Sequence, residues 1–327
     1  MAKDPFTPPP GAAADANCES RSSCKSAGAD GSGCSSCSMK SGASDRFAQQ
    51  DSAIDYTLGH IKYPLFVMSG KGGVGKSSVT VNIAAALAKK GYRVGILDVD
   101  MHGPSVPNLL GLGHGLEMDE QGEKLIPAEY LPNLHVISMD SLLRDKDTAI
   151  LWRGPKKTAA IRQFLSEVQW GDLDFLLIDS PPGTGDEHLT ILKLIPHILS
   201  IVVTTPQEIA LADVRKAVNF LQHAGAAVLG VVENMSGLAC PHCGKDIPLF
   251  KKGGGKELAD HYGIPFLGAV ALDPTTVVAA DRGLPVVLME MDSTAKRDFL
   301  ILAESVASAC ANGKAVQLAL PRPDEQN

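Results

Sequence analysis

The octapeptide GKGGVGKS, Gly70 to Ser77, has the spacing G-x-x-x-x-G-K-[ST]. Gly70, Gly72, Gly73 and Gly75, with Val74 between them, let successive backbone N–H groups curl around a phosphate chain. Lys76 brings positive charge to the β and γ phosphates. The Ser77 hydroxyl suits a Mg2+ ion, and Ser78 continues into the following segment. The chemistry is ATP binding. A glycine-rich turn without a ligand is the bland alternative, and an apolar strand pattern before the loop with a helical pattern after it argues against that. Lys71 is a second lysine, at the start of the loop. One lysine suffices for the loop's own phosphates, so Lys71 is either a solvated loop residue or serves another site.

Carboxylates recur where apolar runs end. Asp98 closes RVGILD (93–98), Asp100 stands two residues on, and Asp179 closes DFLLID (174–179), at the strand edge where open α/β sheets bind ligands. A lone Asp there is more often a helix cap, but three of them beside a phosphate loop suggest hydrolysis. Asp100 is expected to orient the attacking water and Asp179 to hold the metal, with Asp98 less defined. Gly183, in DSPPGTGDE, has an amide suited to sensing the γ-phosphate. Asn234, ending VLGVVEN (228–234), suits an adenine edge as donor and acceptor, or a turn.

Cysteines form the second chemical group. Cys240 and Cys243, in MSGLACPHCGKD, stand two residues apart, the spacing of metal ligands and redox pairs. A structural zinc or an iron–sulfur cluster takes four ligands, so two are missing. Cys18, Cys24, Cys34 and Cys37 form a second group near the N-terminus. Zinc binding, a joint site of Cys34 and Cys37 with Cys240 and Cys243, or no role at all are open readings. Cys310 lies in an apolar helical pattern and reads as core.

The elements that must position these residues alternate. LFVMS (65–69), RVGILD, LHVISM (134–139), DFLLID, ILSIVVTT (198–205), VLGVVEN and PFLGAVAL (265–272) are strand-like runs. Helical spacing follows the loop at Val79, Ile83 and Leu87 and recurs over 156–168, 207–223 and 293–311. That alternation predicts an α/β fold with a mostly parallel sheet flanked by helices on both faces. Residues 101–133 read as one long loop. From Met1 to Ala53 there is no Val, Ile or Leu, so 1–58 is expected to be a flexible Cys-rich tail preceding an ATPase domain over 59–327.

The 327 residues carry a net charge of −7 and no basic run, which disfavours nucleic acid as a partner. No apolar run reaches the ~18 residues of a spanning helix, and the N-terminus lacks the basic start and apolar core of a secretory signal. A cytoplasmic protein without membrane attachment is expected.

The segments SGKGGVGKSS, LDVDMHGPS, WRGP (152–155), DLDFLLIDSPPGTGDEHL (172–189), ENMSGLACPHCG and GGGKELA (254–259) occur in that order, and together they resemble the Mrp/ApbC family of iron–sulfur cluster carrier ATPases, over about residues 60–310. The family belongs to the P-loop NTPase class that includes MinD, ParA and the nitrogenase iron protein. The resemblance implies a homodimer in which Lys71 reaches the facing subunit's phosphates. It implies a labile [4Fe–4S] cluster at the dimer interface, held by Cys240 and Cys243 of both copies and transferred to recipient apoproteins. The four tail cysteines resemble the second-cluster motif of the family's nucleotide-binding subgroup, although here the close pair stands at the end of the motif instead of its middle. Two other readings remain, a MinD/ParA-like positioning ATPase and a zinc-stabilised regulatory ATPase.

Overall fold

The computed structural model describes the backbone of residues 35–100, 103, 105–113, 115–142, 154–240, 243, 245–247, 249 and 251–318. Cys18, Cys24 and Cys34 and the side chain of Cys37 lie outside the described residues, as do Trp152 and Arg153.

In chain order the elements are α1 (Ser35–Gly59), β1 (Ile61–Ser69), α2 (Lys76–Lys89), β2 (Val94–Asp98), α3 (Val106–Leu109), β3 (Glu117–Met118), β4 (Leu125–Ile126), β5 (Ala128–Leu131), β6 (Leu134–Ser138), α4 (Gly154–Glu167), β7 (Leu173–Asp179), α5 (Asp186–Leu194), β8 (Leu199–Thr204), α6 (Glu208–His223), β9 (Ala227–Glu233), β10 (Leu238–Ala239), β11 (Asp246–Ile247), α7 (Gly254–Tyr262), β12 (Phe266–Ala269), α8 (Pro274–Asp281), α9 (Thr294–Ala311) and β13 (Val316–Gln317). The main sheet runs β12-β9-β8-β1-β7-β2-β6-β5, with β13 on β9. Every pair from β12 across to β6 is parallel, while β5 and β13 add antiparallel edges. The expected parallel α/β sheet is therefore present.

Its strands are apolar throughout because both faces are covered. Along β1 the side chains alternate. Leu65 and Val67 join Ile83, Leu87, Phe299 and Leu302 on the face of α2 and α9. Phe66 and Met68 join Phe164, Val214 and Leu258 on the face of α4, α6 and α7. Residues 101–133, expected as one loop, contain α3, the β3–β4 hairpin and β5. Elements of two to four residues are too short to leave a readable period.

The expected tail boundary at residue 58 falls inside α1, and the compact unit begins at Gln49. Ile54 is the first aliphatic residue larger than alanine in the chain. It is 2% exposed, within the apolar cluster of α4 and α6. Arg162 on α4 donates to the Gln50 side chain at 3.0 Å and pairs with Asp51. Composition averaged over fifty residues hides this one buried turn. Ile54→Ala is expected to cost about 2–5 kcal/mol in chemical denaturation followed by circular dichroism, and a change below measurement error would show that the turn does not pack in solution.

Candidate nucleotide and cysteine site

The loop between β1 and α2 borders a cleft of about 360 Å³, lined by residues 71–78 with Asp100, Gly103, Ser105 and Pro182. That lies in the usual range for ligand sites, about 300–1,000 Å³. Gly73 and Gly75 adopt φ of 80° and 78°, which disfavours any residue with a Cβ. Space is also lacking. A Cβ on Gly75 would lie 2.2 Å from Asn234 Nδ2, and one on Gly70 would lie 2.3 Å from the carbonyl carbon of Asp213 in α6. The loop is pressed between α6 and the end of β9.

Asp179, fully buried at the end of β7, is where the loop's side chains meet. Lys76 Nζ reaches its Oδ2 at 2.7 Å, Ser77 Oγ donates to the same oxygen at 2.6 Å, and Thr80 Oγ1 donates to Oδ1 at 2.6 Å. An isolated buried carboxylate is prohibitively costly, and here one cation and two hydroxyls offset that cost. A hydroxyl and a carboxylate oxygen so close together are the hard oxygen donors a Mg2+ ion selects, so Ser77 and Asp179 fit the expected metal role.

Asp98 pairs with Asp179 across β2 and β7 and is equally buried. Burial first, and the neighbouring Asp179 second, push its carboxyl up to about 8, so at neutral pH it keeps its proton. Its Oδ1 accepts the Asp100 N–H at 3.0 Å and its Oδ2 meets Ser138 Oγ at 3.1 Å. Asp98 thus orients the backbone that presents Asp100 to the cleft. Asp100 itself is 7% exposed.

The other expected residues divide. Lys71 lines the cleft, and its carbonyl accepts from Ser69 Oγ at 2.9 Å. Asn234 Nδ2 donates to the Val74 carbonyl at 2.9 Å, so one of its amide protons braces the phosphate loop from below. The Gly183 amide donates to the Ser69 carbonyl at 3.0 Å and would have to leave that acceptor to meet a phosphate. The switch segment is anchored again at Gly185, whose N–H donates to His188 Nδ1 at 3.1 Å. Burial between Phe66 and Phe220 pushes the His188 ring down to about 4, so it stays neutral and accepts.

Cys240 and Cys243 lie where β10 turns into β11, an antiparallel hairpin beyond β9. Cys240 is half-buried and Cys243 exposed. The Cys240 N–H donates to the Lys245 carbonyl at 2.8 Å, and the hairpin base is fixed by Ser236 N–H to Val270 O and Leu272 N–H to Gly237 O, both at 2.8 Å. Among the described residues no group of three or more His, Cys, Asp or Glu is placed to hold a metal ion. Cys310 is 6% exposed on α9, and burial pushes its thiol up to about 12, as expected for a core residue.

Thr80 and Glu233 are among the residues here that escaped the sequence reading. Thr80 was findable, since it stands one helical turn beyond Lys76 and so shares its face. Glu233 was not, because its three hydrogen-bond donors come from residues 236, 253 and 255.

Comparison with known proteins follows the same lines. A ParA family model described as NUBPL iron-transfer P-loop NTPase matches residues 60–307. An iron–sulfur cluster carrier protein of Methanococcus maripaludis is 48% identical over 262 residues, covering 79% of this chain and 90% of the relative. A cytosolic Fe–S cluster assembly factor NUBP2 homolog of Culex quinquefasciatus is 46% identical over 255 residues, covering 77% and 99%. Among solved structures, a nucleotide-binding protein of Archaeoglobus fulgidus in complex with ADP superposes with a TM-score of 0.63 at 38% identity, covering 75% of this chain and 98% of that one.

The protonated Asp98 makes a pH prediction. The unfolded carboxyl titrates near 3.8 and the folded one near 8. Between those values the folded chain binds more protons, so the stability Asp98 contributes, full at low pH, is lost as pH rises toward the folded value. Asp98→Asn mimics the neutral carboxyl and should remove the loss. In urea titrations its midpoint should exceed wild type by more at pH 8 than at pH 5, and an equal gap at both would contradict a buried neutral Asp98.

Proposed function

The chain belongs to the family of NUBPL iron-transfer P-loop NTPases, and from that premise we propose that it binds and hydrolyses ATP to carry an iron–sulfur cluster to recipient apoproteins. The cargo in this reading is a labile [4Fe–4S] cluster shared by Cys240 and Cys243 of two copies of the chain. The observation that carries it is the position of the two thiols. They sit at the tip of a hairpin that begins four residues beyond Asn234, the residue bracing the phosphate loop. Two cysteines per chain stand at the tip, so a second copy would complete a set of four thiolates, and Lys71 lines the cleft from which it would reach that copy's phosphates.

In the proposed cycle Lys76 has two competing anionic partners, Asp179 and the γ-phosphate. Turning toward the phosphate takes the cation from Asp179 Oδ2 and leaves that oxygen beside Ser77 Oγ. These two atoms would hold Mg2+, which when bound neutralises charge on the β and γ phosphate oxygens. Asp100, with its backbone fixed by Asp98, orients the water that attacks the γ-phosphorus. The bond from that phosphorus to the β,γ-bridging oxygen breaks, giving ADP and phosphate. Separation of the copies would then loosen a cluster that neither pair holds alone.

Cytoplasmic residence belongs to the same proposal, in keeping with the Culex relative's description as a cytosolic assembly factor. No described helix is long and apolar enough to cross a membrane. The tail cysteines remain candidates for a second cluster in this reading.

Purified without oxygen, the protein should be brown, dimeric by light scattering and depleted of most chromophore by Cys240→Ala or Cys243→Ala. A colourless monomer with one zinc per chain would instead favour a zinc-stabilised regulatory ATPase. Binding to DNA or liposomes with ATP would favour a positioning ATPase. Lys76→Ala should lower ATP-dependent transfer to an apo acceptor about 10²-fold while leaving cluster loading largely intact, and equal loss of both would place nucleotide upstream of loading.

A further inference from the structure

Glu233 ends β9 with its side chain fully buried, and the proposed cycle gives it no role. Its Oε1 accepts from Ser236 Oγ at 2.5 Å and from the Gly253 N–H at 3.0 Å, and its Oε2 accepts from the Gly255 N–H at 2.6 Å. Ser236 begins the excursion that carries Cys240 and Cys243. Gly253 caps the helix on which the excursion lands. One carboxylate therefore holds both ends of the cysteine segment, with the positive end of α7 favouring its charge.

The fit around it is close. A Cβ on Gly255 would lie 3.0 Å from Glu233 Cβ, and one on Gly254 would lie 2.7 Å from Leu211 Cδ1. The same turn continues to the phosphate loop. Asn234 bonds Val74 O, and its N–H donates to Thr204 O at 2.7 Å. Met235, between Asn234 and Ser236, is the described non-glycine residue with positive φ, at 58°, and its Cε lies 3.6 Å from where a Gly75 Cβ would stand. A methionine in that conformation persists only where its surroundings hold it there.

We propose that Glu233 is the positioning residue of the Cys240/Cys243 pair, and that the turn Glu233–Ser236 makes the pair's exposure depend on what the phosphate loop binds. A shift of the Val74 carbonyl when phosphates enter moves Asn234, and with it Met235 and the hydroxyl of Ser236. The carboxylate fixes where the excursion begins and ends, so that shift is delivered to the hairpin tip instead of being absorbed along the segment. The inference takes the two thiols as the functional ligands of the reading above, but it requires no cluster and is tested without one.

The test uses the full-length chain freed of metal by chelation. Maleimide alkylation is read separately at Cys240 and Cys243 by tandem mass spectrometry, with and without a non-hydrolysable ATP analogue and Mg2+. In wild type the analogue should change the Cys240 rate about threefold or more. Glu233→Gln keeps the size but sets an amide donor against backbone N–H groups. It should raise the basal Cys240 rate about fivefold toward that of Cys243 and abolish the response, while analogue affinity stays within about twofold. Ser236→Ala removes only the hydroxyl bond and should move both readouts the same way by less, which decides the matter if Glu233→Gln does not fold. Wild-type rates and response in both variants would overturn the proposal. A wild-type Cys240 rate indifferent to saturating analogue would overturn its coupling, and joint loss of affinity and thiol protection would show a general loosening instead. A chain that never binds a cluster yet passes this test would sink the carrier reading and leave this one standing.

Discussion

A single buried anion organises the site. Asp179 is shielded from solvent, and Lys76, Ser77 and Thr80 supply its donors from the first turns of one helix. That fixes the rotation of α2 about its axis and the height at which the helix meets the sheet. It also limits the charge the strand edge can hold. Burial and the neighbouring Asp179 raise the Asp98 carboxyl more than the Lys76 charge lowers it, so Asp98 remains neutral, where it serves as a hydrogen-bonding strut. Two adjacent aspartates of similar burial thus differ in their partners, because Asp179 faces the helix that carries Lys76, Ser77 and Thr80 and Asp98 does not.

The phosphate loop inherits its position from the same constraint. With α2 set, the loop must fit between the backbone of α6 and the amide of Asn234, and glycine is the residue that passes at Gly70 and Gly75. A larger residue at Gly75 would displace Asn234, and through it the turn that leads to the cysteines. The glycines therefore serve two ends, exposing N–H groups to phosphate and letting the cysteine-bearing strand end approach the loop closely. The proposed link between nucleotide and thiols depends on that proximity.

These different dependences explain what the sequence could disclose. The phosphate loop, the carboxylates at strand ends and the paired cysteines were legible because each depends on local spacing, and the parallel sheet because its strands are apolar throughout. Roles set by tertiary contact were not. Glu233 looks like any strand-end acid until Gly253 and Gly255 are folded against it. Ser138 is an ordinary strand residue until β6 pairs with β2 beside Asp98. Asn234 was read as an adenine contact or a turn, and its bond to Val74 adds a third role that no spacing rule anticipates. Ile54 was likewise illegible, because composition averages over windows whereas burial acts on single side chains.

The hairpin that bears the cysteines is made of two-residue strands, and an isolated hairpin of any length is marginal in water. Its geometry cannot come from its own ladder. It comes from its base, where Ser236, Gly237 and Leu272 bond to the sheet edge and Glu233 gathers the two ends. A tip held from below is free to adjust to whatever it grips, and the exposed Cys243 and half-buried Cys240 differ in how far they can do so. A metal site closed by four thiolates of one rigid chain would bind tightly and release slowly. In the proposed reading, two thiolates on a tip held from its base would have the opposite character, since the remaining ligands would come from a second copy and could leave with it. A carrier needs that property more than it needs affinity.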